Sequence, residues 1–131
     1  MLPIEIQKDS GIPIYVQFIR QVRLLIDGER LLPGTAMPTV REMAVELGIN
    51  YNTVARIYRD LQAEGLLVMK RGIGTFVADT PPDHKRRKQM FSEIENEVQE
   101  LIQHCRDLEV KRPELFQYIE MIWKESQNEI R

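Results

Sequence analysis

Residues Pro38 to Ala78 read PTVREMAVELGINYNTVARIYRDLQAEGLLVMKRGIGTFVA, and this stretch decides the fold. Thr39 stands three residues before Glu42, a spacing typical of the capping box that begins a helix. Gly48 is placed to end this first helix, where a left-handed residue is needed. Asn50 is then placed to cap a second helix. The connection between the two helices is too short for anything but a tight turn.

Each of the two helices has one apolar face. The apolar positions of the first helix are Val40, Met43, Ala44 and Leu47. Those of the second helix are Val54, Ile57, Tyr58 and Leu61. By elimination, the second helix directs a different set of side chains outward, at or near its amino-terminal end: Tyr51, Asn52, Thr53, Arg56 and Arg59.

A hairpin follows the second helix. We expect residues 66–69 to form one strand, residues 70–74 a glycine-bearing turn and residues 75–77 the returning strand. Gly72 and Gly74 flank Ile73, so they either serve the turn geometry alone or let the backbone approach a phosphate or a minor-groove edge. Two helices, a tight turn and a hairpin are the elements of a winged helix-turn-helix, whose second helix enters the DNA major groove.

The residues before Pro38 predict a scaffold helix that begins at Pro13. Its apolar stripe consists of Ile14, Phe18, Val22 and Leu25. Tyr15 lies in the same helix and could reach outward, but a tyrosine at helical spacing is more often packed, so we expect it to be packed. Closer to the amino terminus, apolar and polar residues alternate, which predicts either a short strand or an extended arm. The apolar members of that alternation are Leu2, Ile4 and Ile6.

The segment resembles the DNA-binding domain of the GntR family of bacterial transcriptional regulators. Family members carry a P-S/T-x-R-E-L-A stretch, an N-T-V stretch and a terminal R-G-x-G-T-F-V wing. The corresponding stretches here are PTVREMA at 38–44, NTV at 52–54 and RGIGTFV at 71–77. The resemblance covers roughly residues 13–78. It implies that Arg41 and Thr39 contact the phosphate backbone.

The resemblance also implies roles for the exposed residues of the second helix. Tyr51 and Ala55 occupy two positions at which family members often carry arginines that reach bases. We therefore expect Asn52, Thr53 and Arg56 to read the DNA sequence, as in the family branch whose helix reads N-T-V-x-R-x-Y. The full set expected to contact DNA is Thr39, Arg41, Tyr51, Asn52, Thr53, Arg56, Lys70, Arg71 and Gly72.

The residues after Thr80 predict a helical second domain. Apolar residues from Phe91 to Leu108 alternate at spacings of three and four, an a/d seam typical of helices that pack together. Pro113 begins another helix with its own apolar face. Two such helices are too small to bury both faces alone, so we predict a homodimer. The predicted dimer contacts are Phe91, Ile94, Val98, Leu101, Cys105, Leu108, Leu115, Ile119 and Ile122.

The predicted fold class is therefore α+β, mostly α. A winged helix-turn-helix DNA-binding domain at 1–80 is followed by an antiparallel two-helix dimerisation domain at 81–131. This layout resembles the YtrA subfamily of GntR regulators. A two-fold dimer is predicted to bind an inverted-repeat operator, and we expect the protein to be a repressor. The resemblance implies adjacent genes, often for a transporter, as its target. Cys105 is either a small core residue or a redox switch.

Charge and composition limit the remaining possibilities. The net charge of −2 does not predict DNA binding by itself, but the acidic excess lies entirely after Thr80. The run Lys85-Arg86-Arg87-Lys88 either holds phosphates or begins a solvated helix. A single cysteine fits a reducing cytoplasm, and no apolar run approaches the roughly 18 residues of a membrane helix.

Two other classes of function are alternatives to DNA binding. An enzyme is not expected, because His84 and His104 lack metal-ligand spacing and the chain has no Gly-x-Ser-x-Gly or phosphate-loop sequence. No cofactor is expected either, and the sequence identifies no small-molecule effector. The alternative is a winged helix that serves only protein–protein contacts. The outward cations at Lys70 and Arg71 argue against it, since protein interfaces are depleted in lysine.

Overall fold

The computed structural model describes the backbone of residues 2–130 and the side chains of residues 2–128. The elements in order are α1 (Ile14–Asp27), α2 (Val40–Leu47), α3 (Tyr51–Ala63), β1 (Leu67–Lys70), β2 (Gly74–Val77), α4 (His84–Asp107) and α5 (Arg112–Ile130). Three helices, a hairpin and two further helices therefore stand where the sequence predicts them. In the part of the chain that the structure describes, no helix is long and apolar enough to cross a membrane.

The core of the first unit forms between α1, α2, α3 and the hairpin. Phe18 of α1 is fully buried and packs edge-on against Tyr58 of α3, with 6.2 Å between the ring centroids. The hydroxyl of Tyr58 donates a hydrogen bond of 2.7 Å to the carbonyl oxygen of Pro38. This bond ties α3 to the segment that enters α2. Burial of the ring raises the pKa of the Tyr58 hydroxyl, so the hydroxyl remains a donor at neutral pH.

The amino-terminal residues form an extended arm and not a strand. Ile4 is buried in the core, as the alternation of apolar residues predicts. Gln17 of α1 holds the arm in place: its side-chain oxygen accepts a hydrogen bond of 2.7 Å from the backbone amide of Gln7. Its amide nitrogen donates to the carbonyl oxygens of Gln7 and Ile12 at 2.9 and 2.8 Å.

The hairpin is braced by the segment that precedes α2. β1 and β2 pair antiparallel in a register that places Leu67 opposite Val77 and Lys70 opposite Gly74. On the outer side of β2, the backbone amide of Met37 donates to the carbonyl oxygen of Thr75 at 2.8 Å. The backbone amide of Val77 also donates to the carbonyl oxygen of Thr35 at 2.9 Å. These two hydrogen bonds connect the hairpin to the residues that lead into α2.

The chain divides into two compact units, of which the first extends to Phe91 and the second begins at Ser92. The first unit thus includes the first turns of α4, beyond the boundary expected at Thr80. α4 itself runs unbroken from His84 to Asp107.

The apolar residues of α4 and α5 remain accessible in the single chain. None of the described residues of α4 is buried. On α4, Ile94, Val98 and Leu101 are 46%, 45% and 43% exposed. On α5, Trp123 is 64% exposed. Cys105 is half-buried and contributes to a cavity of about 360 Å³ near the turn between the two helices.

Candidate nucleic-acid interface

Local hydrogen bonds at both helix starts define the α2–turn–α3 unit. The Thr39 hydroxyl oxygen accepts from the backbone amide of Glu42 at 3.0 Å, and the Glu42 carboxylate accepts from the backbone amide of Thr39 at 3.0 Å. Gly48 has φ 65°, the left-handed conformation that ends α2. The side-chain oxygen of Asn50 then accepts from the backbone amide of Asn52 at 2.7 Å. The predicted capping box, glycine stop and asparagine cap are confirmed.

The capping box makes stability depend on pH in a defined direction. Hydrogen bonds from Thr39, its backbone amide first, lower the pKa of the Glu42 carboxyl below its ordinary value of 4.5. A carboxyl with a lowered pKa in the folded state stabilises the fold above pH 4.5, and this contribution is lost as the pH falls further. Thr39→Val should lower the free energy of unfolding by about 1 kcal/mol at neutral pH.

Urea denaturation of the variants at pH 7 and in acid measures this effect. Glu42→Gln is the matched control, because glutamine also closes a capping box but does not titrate. The control should stay close to the wild type at neutral pH and lose the acid dependence of this cap. A Thr39→Val protein as stable as the wild type would contradict the role assigned to the box.

The helix α3 has one buried face and one exposed face, as predicted. Val54, Ile57, Tyr58 and Leu61 are buried. Asn52, Arg56 and Arg59 are exposed, whereas Thr53 is half-buried. Arg56 forms no hydrogen bond or ion pair with any of the described residues, so its guanidinium group is available to an external ligand. The amino-terminal part of α3 therefore presents amide, hydroxyl and guanidinium groups, the chemistry that reads base edges.

Arg41 and Tyr51 form a contact that the sequence did not indicate. The guanidinium carbon of Arg41 lies 5.7 Å from the centroid of the Tyr51 ring, a cation–π geometry. Arg41 lies on α2 and Tyr51 begins α3, so the contact spans the turn between the helices. The Tyr51 side chain remains 50% exposed. The contact holds the arginine near the amino-terminal end of α3 and leaves its charge accessible.

Tyr15 is not packed, contrary to the expectation for this position. Its side chain is 52% exposed. It lines a groove of about 390 Å³ together with Thr53 and Arg56 of α3. The α1 stripe is centred on Phe18, Val22 and Ile26, which are fully buried, and Tyr15 falls outside it. An aromatic hydroxyl absent from the predicted DNA-contacting set therefore lies next to two of the predicted base-reading residues.

The hairpin turn presents cations and a glycine with space around it. The amine of Lys70 lies 4.8 Å from the centroid of the Phe76 ring on the paired strand. Arg71 is exposed and makes no hydrogen bond or ion pair with any described residue. Gly72 has φ 76°, and a Cβ built there would meet no atom within 4 Å. The open space allows another molecule to approach the backbone at this turn.

The basic run that begins α4 is largely neutralised by carboxylates of the chain itself. Arg86 hydrogen-bonds Asp83, and this contact lowers the pKa of the aspartate carboxyl. Arg87 pairs with Asp27, and the amine of Lys88 lies 2.9 Å from the Glu29 carboxylate. From the sequence, this run either contacts phosphates or begins a solvated helix. The structure gives three of its cations intramolecular partners instead.

Comparison with known proteins identifies relatives of the described fold. The family model of the bacterial regulatory proteins of the gntR family matches residues 14–77, from the start of α1 to the end of the hairpin. The solved structure of YtrA from Sulfolobus acidocaldarius, a GntR-family transcription factor, is 31% identical to this chain. It aligns with a TM-score of 0.55 over 69% of this chain and 94% of that one.

Two proteins of Bacillus subtilis strain 168 are also similar in sequence. The uncharacterised HTH-type transcriptional regulator YhcF is 40% identical over 73 residues, which are 56% of this chain and 60% of YhcF. The HTH-type transcriptional repressor YtrA is 38% identical over 76 residues, 58% of either protein. The chain thus spans about three fifths of the length of the curated relatives it matches. These relatives are named as regulators and not as enzymes.

Proposed function

Because the chain belongs to the GntR family of bacterial regulatory proteins, we propose that it is a sequence-specific DNA-binding transcriptional regulator. The observation that carries the proposal is the exposed amino-terminal part of α3, where Asn52 and Arg56 stand on a helix whose other face is buried. A helix held by its core face and exposed at its start is the part that a helix-turn-helix inserts into the major groove.

Each exposed group has a role in this proposal. Asn52, Thr53 and Arg56 contact base edges, since amide and guanidinium groups match the hydrogen-bonding edges of adenine and guanine. Arg41 and Thr39 contact phosphates at the start of α2. On the hairpin, Lys70 and Arg71 lie along the DNA backbone and Gly72 permits close approach. Tyr51 packs against a thymine methyl group while it supports Arg41.

The protein acts as a homodimer in this proposal. Its support is the set of apolar side chains that α4 and α5 leave exposed in the single chain, which includes Ile94, Val98 and Leu101. Exposed apolar faces of this extent mark interaction sites on soluble proteins. A second copy that pairs through the same residues gives a two-fold dimer, and a two-fold dimer binds an inverted repeat.

The name of one relative supports a repressor role. The protein YtrA of Bacillus subtilis is called a transcriptional repressor, and it is 38% identical to this chain over 76 residues. We propose repression of a nearby operon, with transporter genes as the class of target that the subfamily resemblance suggests. DNA as the partner and the single cysteine also support a cytoplasmic location.

Selection from a random duplex library tests the proposed DNA partner. The full-length protein should enrich an inverted repeat with half-sites about 10 base pairs apart, centre to centre, because the two recognition helices of a dimer enter the groove on one side of the duplex. Enrichment of single half-sites or direct repeats would contradict the symmetric dimer. A pool without any enrichment would favour the alternative, a winged-helix module for protein–protein contacts without DNA readout.

A further inference from the structure

A groove beside α1 carries three arginines. It has a volume of about 530 Å³, and Arg20, Arg23 and Arg87 line it, so we call it the arginine groove. A volume of this size lies within the range of roughly 300–1,000 Å³ that small-molecule sites occupy. All of the lining residues precede Ser92, so the groove belongs wholly to the first compact unit.

The remaining wall of the arginine groove is largely apolar. Leu66, which follows the end of α3, is buried, and Ile19 of α1 is half-buried. Leu24 of α1 lines the same groove and is 50% exposed. Covering exposed apolar surface inside a concave site is favourable, because the surface is removed from water. This wall therefore favours a ligand with an apolar body.

Two of the three arginines are held in place by the protein itself. The buried carboxylate of Asp27 accepts a hydrogen bond of 2.6 Å from Nε of Arg87 and lies 3.5 Å from Nε of Arg23. A terminal nitrogen of Arg23 also donates to the carbonyl oxygen of Pro82 at 2.6 Å. The side chains of Arg23 and Arg87 are only 20% and 27% exposed. Donors fixed in advance lose less conformational entropy when a ligand binds.

The third arginine is available to an external anion. Arg20 is exposed and makes no hydrogen bond or ion pair with any described residue. Two carboxylates belong to the same region: Asp27 is engaged by the other two arginines, and Glu64 is exposed and pairs with none of the described cations. Three guanidinium groups against two carboxylates leave one positive charge in excess. The arginine groove therefore favours a negatively charged ligand.

The arginine groove lies at the end of α3 that is remote from the base-reading residues. Tyr15, at the start of α1, shares its groove with Thr53 and Arg56. Leu24, near the end of α1, instead shares the arginine groove with Glu64, the C-terminal cap of α3. Along α3, Thr53 and Glu64 are separated by roughly 16 Å, at about 1.5 Å per residue. A ligand in the arginine groove is therefore separate from the base edges that α3 is proposed to read.

We propose that the arginine groove binds a small organic carboxylate with an apolar body. The carboxylate pairs with Arg20, beside the guanidinium groups of Arg23 and Arg87, since a guanidinium group matches a carboxylate in charge and in hydrogen-bond geometry. The apolar body covers Leu24 and lies against Leu66. This site goes beyond the proposed function, because neither its residues nor its ligand takes part in the contact with DNA.

Titration of the full-length protein with three small molecules tests this chemistry. Benzoate supplies both a carboxylate and an apolar ring, benzyl alcohol supplies the ring without the charge, and acetate supplies the charge without the ring. Benzoate should bind saturably, with one site per chain, as followed by magnetic resonance of the labelled protein. The other two should bind at least about tenfold more weakly, since each lacks one of the two contributions. Equal binding of all three molecules, or no saturation by benzoate, would overturn the proposal.

Arg20→Gln is the variant that removes the proposed carboxylate contact. It should weaken benzoate binding by about tenfold or more, the effect of one lost charge-assisted hydrogen bond. Folding should be unaffected, because Arg20 is exposed and has no partner among the described residues. Arg59→Gln is the matched control, because it removes the same charge from an exposed position of α3 outside the groove. An equal loss in both variants would mean that benzoate responds to total charge, and would overturn the site.

Gel-shift titration of Arg20→Gln with a random duplex tests the other possible occupant, a phosphate of DNA. The variant should bind the duplex with the wild-type affinity and the wild-type salt dependence. A weaker affinity with a shallower salt dependence would assign Arg20 to the DNA backbone and overturn the proposal. If the wild-type protein binds no DNA at all, the proposed function fails, whereas the benzoate titrations still decide whether the groove binds a carboxylate.

Discussion

Leu101→Glu is expected to convert the dimer to a monomer and to weaken binding to the two-half-site operator by about 10²–10⁴-fold. Leu101 lies on the seam of α4 and is 43% exposed in the single chain. In the proposed dimer the second copy covers this side chain, and a carboxylate removed from water at an apolar interface is strongly unfavourable unless it is paired. The protomer should still fold, because the leucine is not part of its core.

Sedimentation and gel-shift titration of the same samples measure the two effects together. Asn96→Glu is the matched control: it adds an identical carboxylate to the opposite side of α4, at an exposed position. The control should remain a dimer and keep the wild-type affinity. If Leu101→Glu also sediments as a dimer, the copies associate through another surface and the role assigned to α4 is wrong.

Arg56→Ala is expected to cost roughly 1–3 kcal/mol on the operator and to relax the preference at one base pair. The structure supports a base contact because this guanidinium group is exposed on α3 and has no partner among the described residues.

Arg41→Ala should act differently. It should weaken binding to all sequences alike. The slope of the logarithm of affinity against the logarithm of salt concentration should become shallower by about one, as expected for a lost phosphate contact.

Titrations against the operator and a random duplex at several salt concentrations separate these roles. Arg59→Ala is the matched control, since it removes the same charge further along α3 and should have the smaller effect. The opposite result would be that Arg41→Ala changes the preference at one base pair and Arg56→Ala weakens binding to all sequences. That result would mean that α3 is rotated in the groove relative to the orientation proposed here. Asn52 and Thr53 would then become the principal sequence-reading residues.

Local signals explain why much of the interface could be predicted from the sequence. The Thr39–Glu42 capping box, the left-handed Gly48 and the Asn50 cap each involve residues within four positions of one another. Their geometry is dictated by backbone groups at a helix end, which any fold must satisfy. The apolar faces of α2 and α3 follow from helical periodicity for the same reason.

Long-range contacts account for what the sequence did not predict. Asp27 and Arg87 are 60 residues apart, and neither hydrophobic periodicity nor turn chemistry relates them. One signal was present: Asp27 directly follows Ile26 at the end of the apolar stripe of α1, a position where a charge requires a partner. The exposure of Tyr15 likewise depends on which residues form the centre of the apolar stripe of α1. The packing of α1 against α3 determines that centre.

The ratio of two dissociation constants tests the central claim most directly. The full-length protein is titrated, at one salt concentration, against the selected inverted repeat and against a duplex of the same length and composition with shuffled bases. If α3 reads the DNA sequence, the selected duplex should bind at least about 10³-fold more tightly than the shuffled duplex. Equal affinity for the two duplexes would contradict the account, because the exposed residues of α3 would then contribute charge alone.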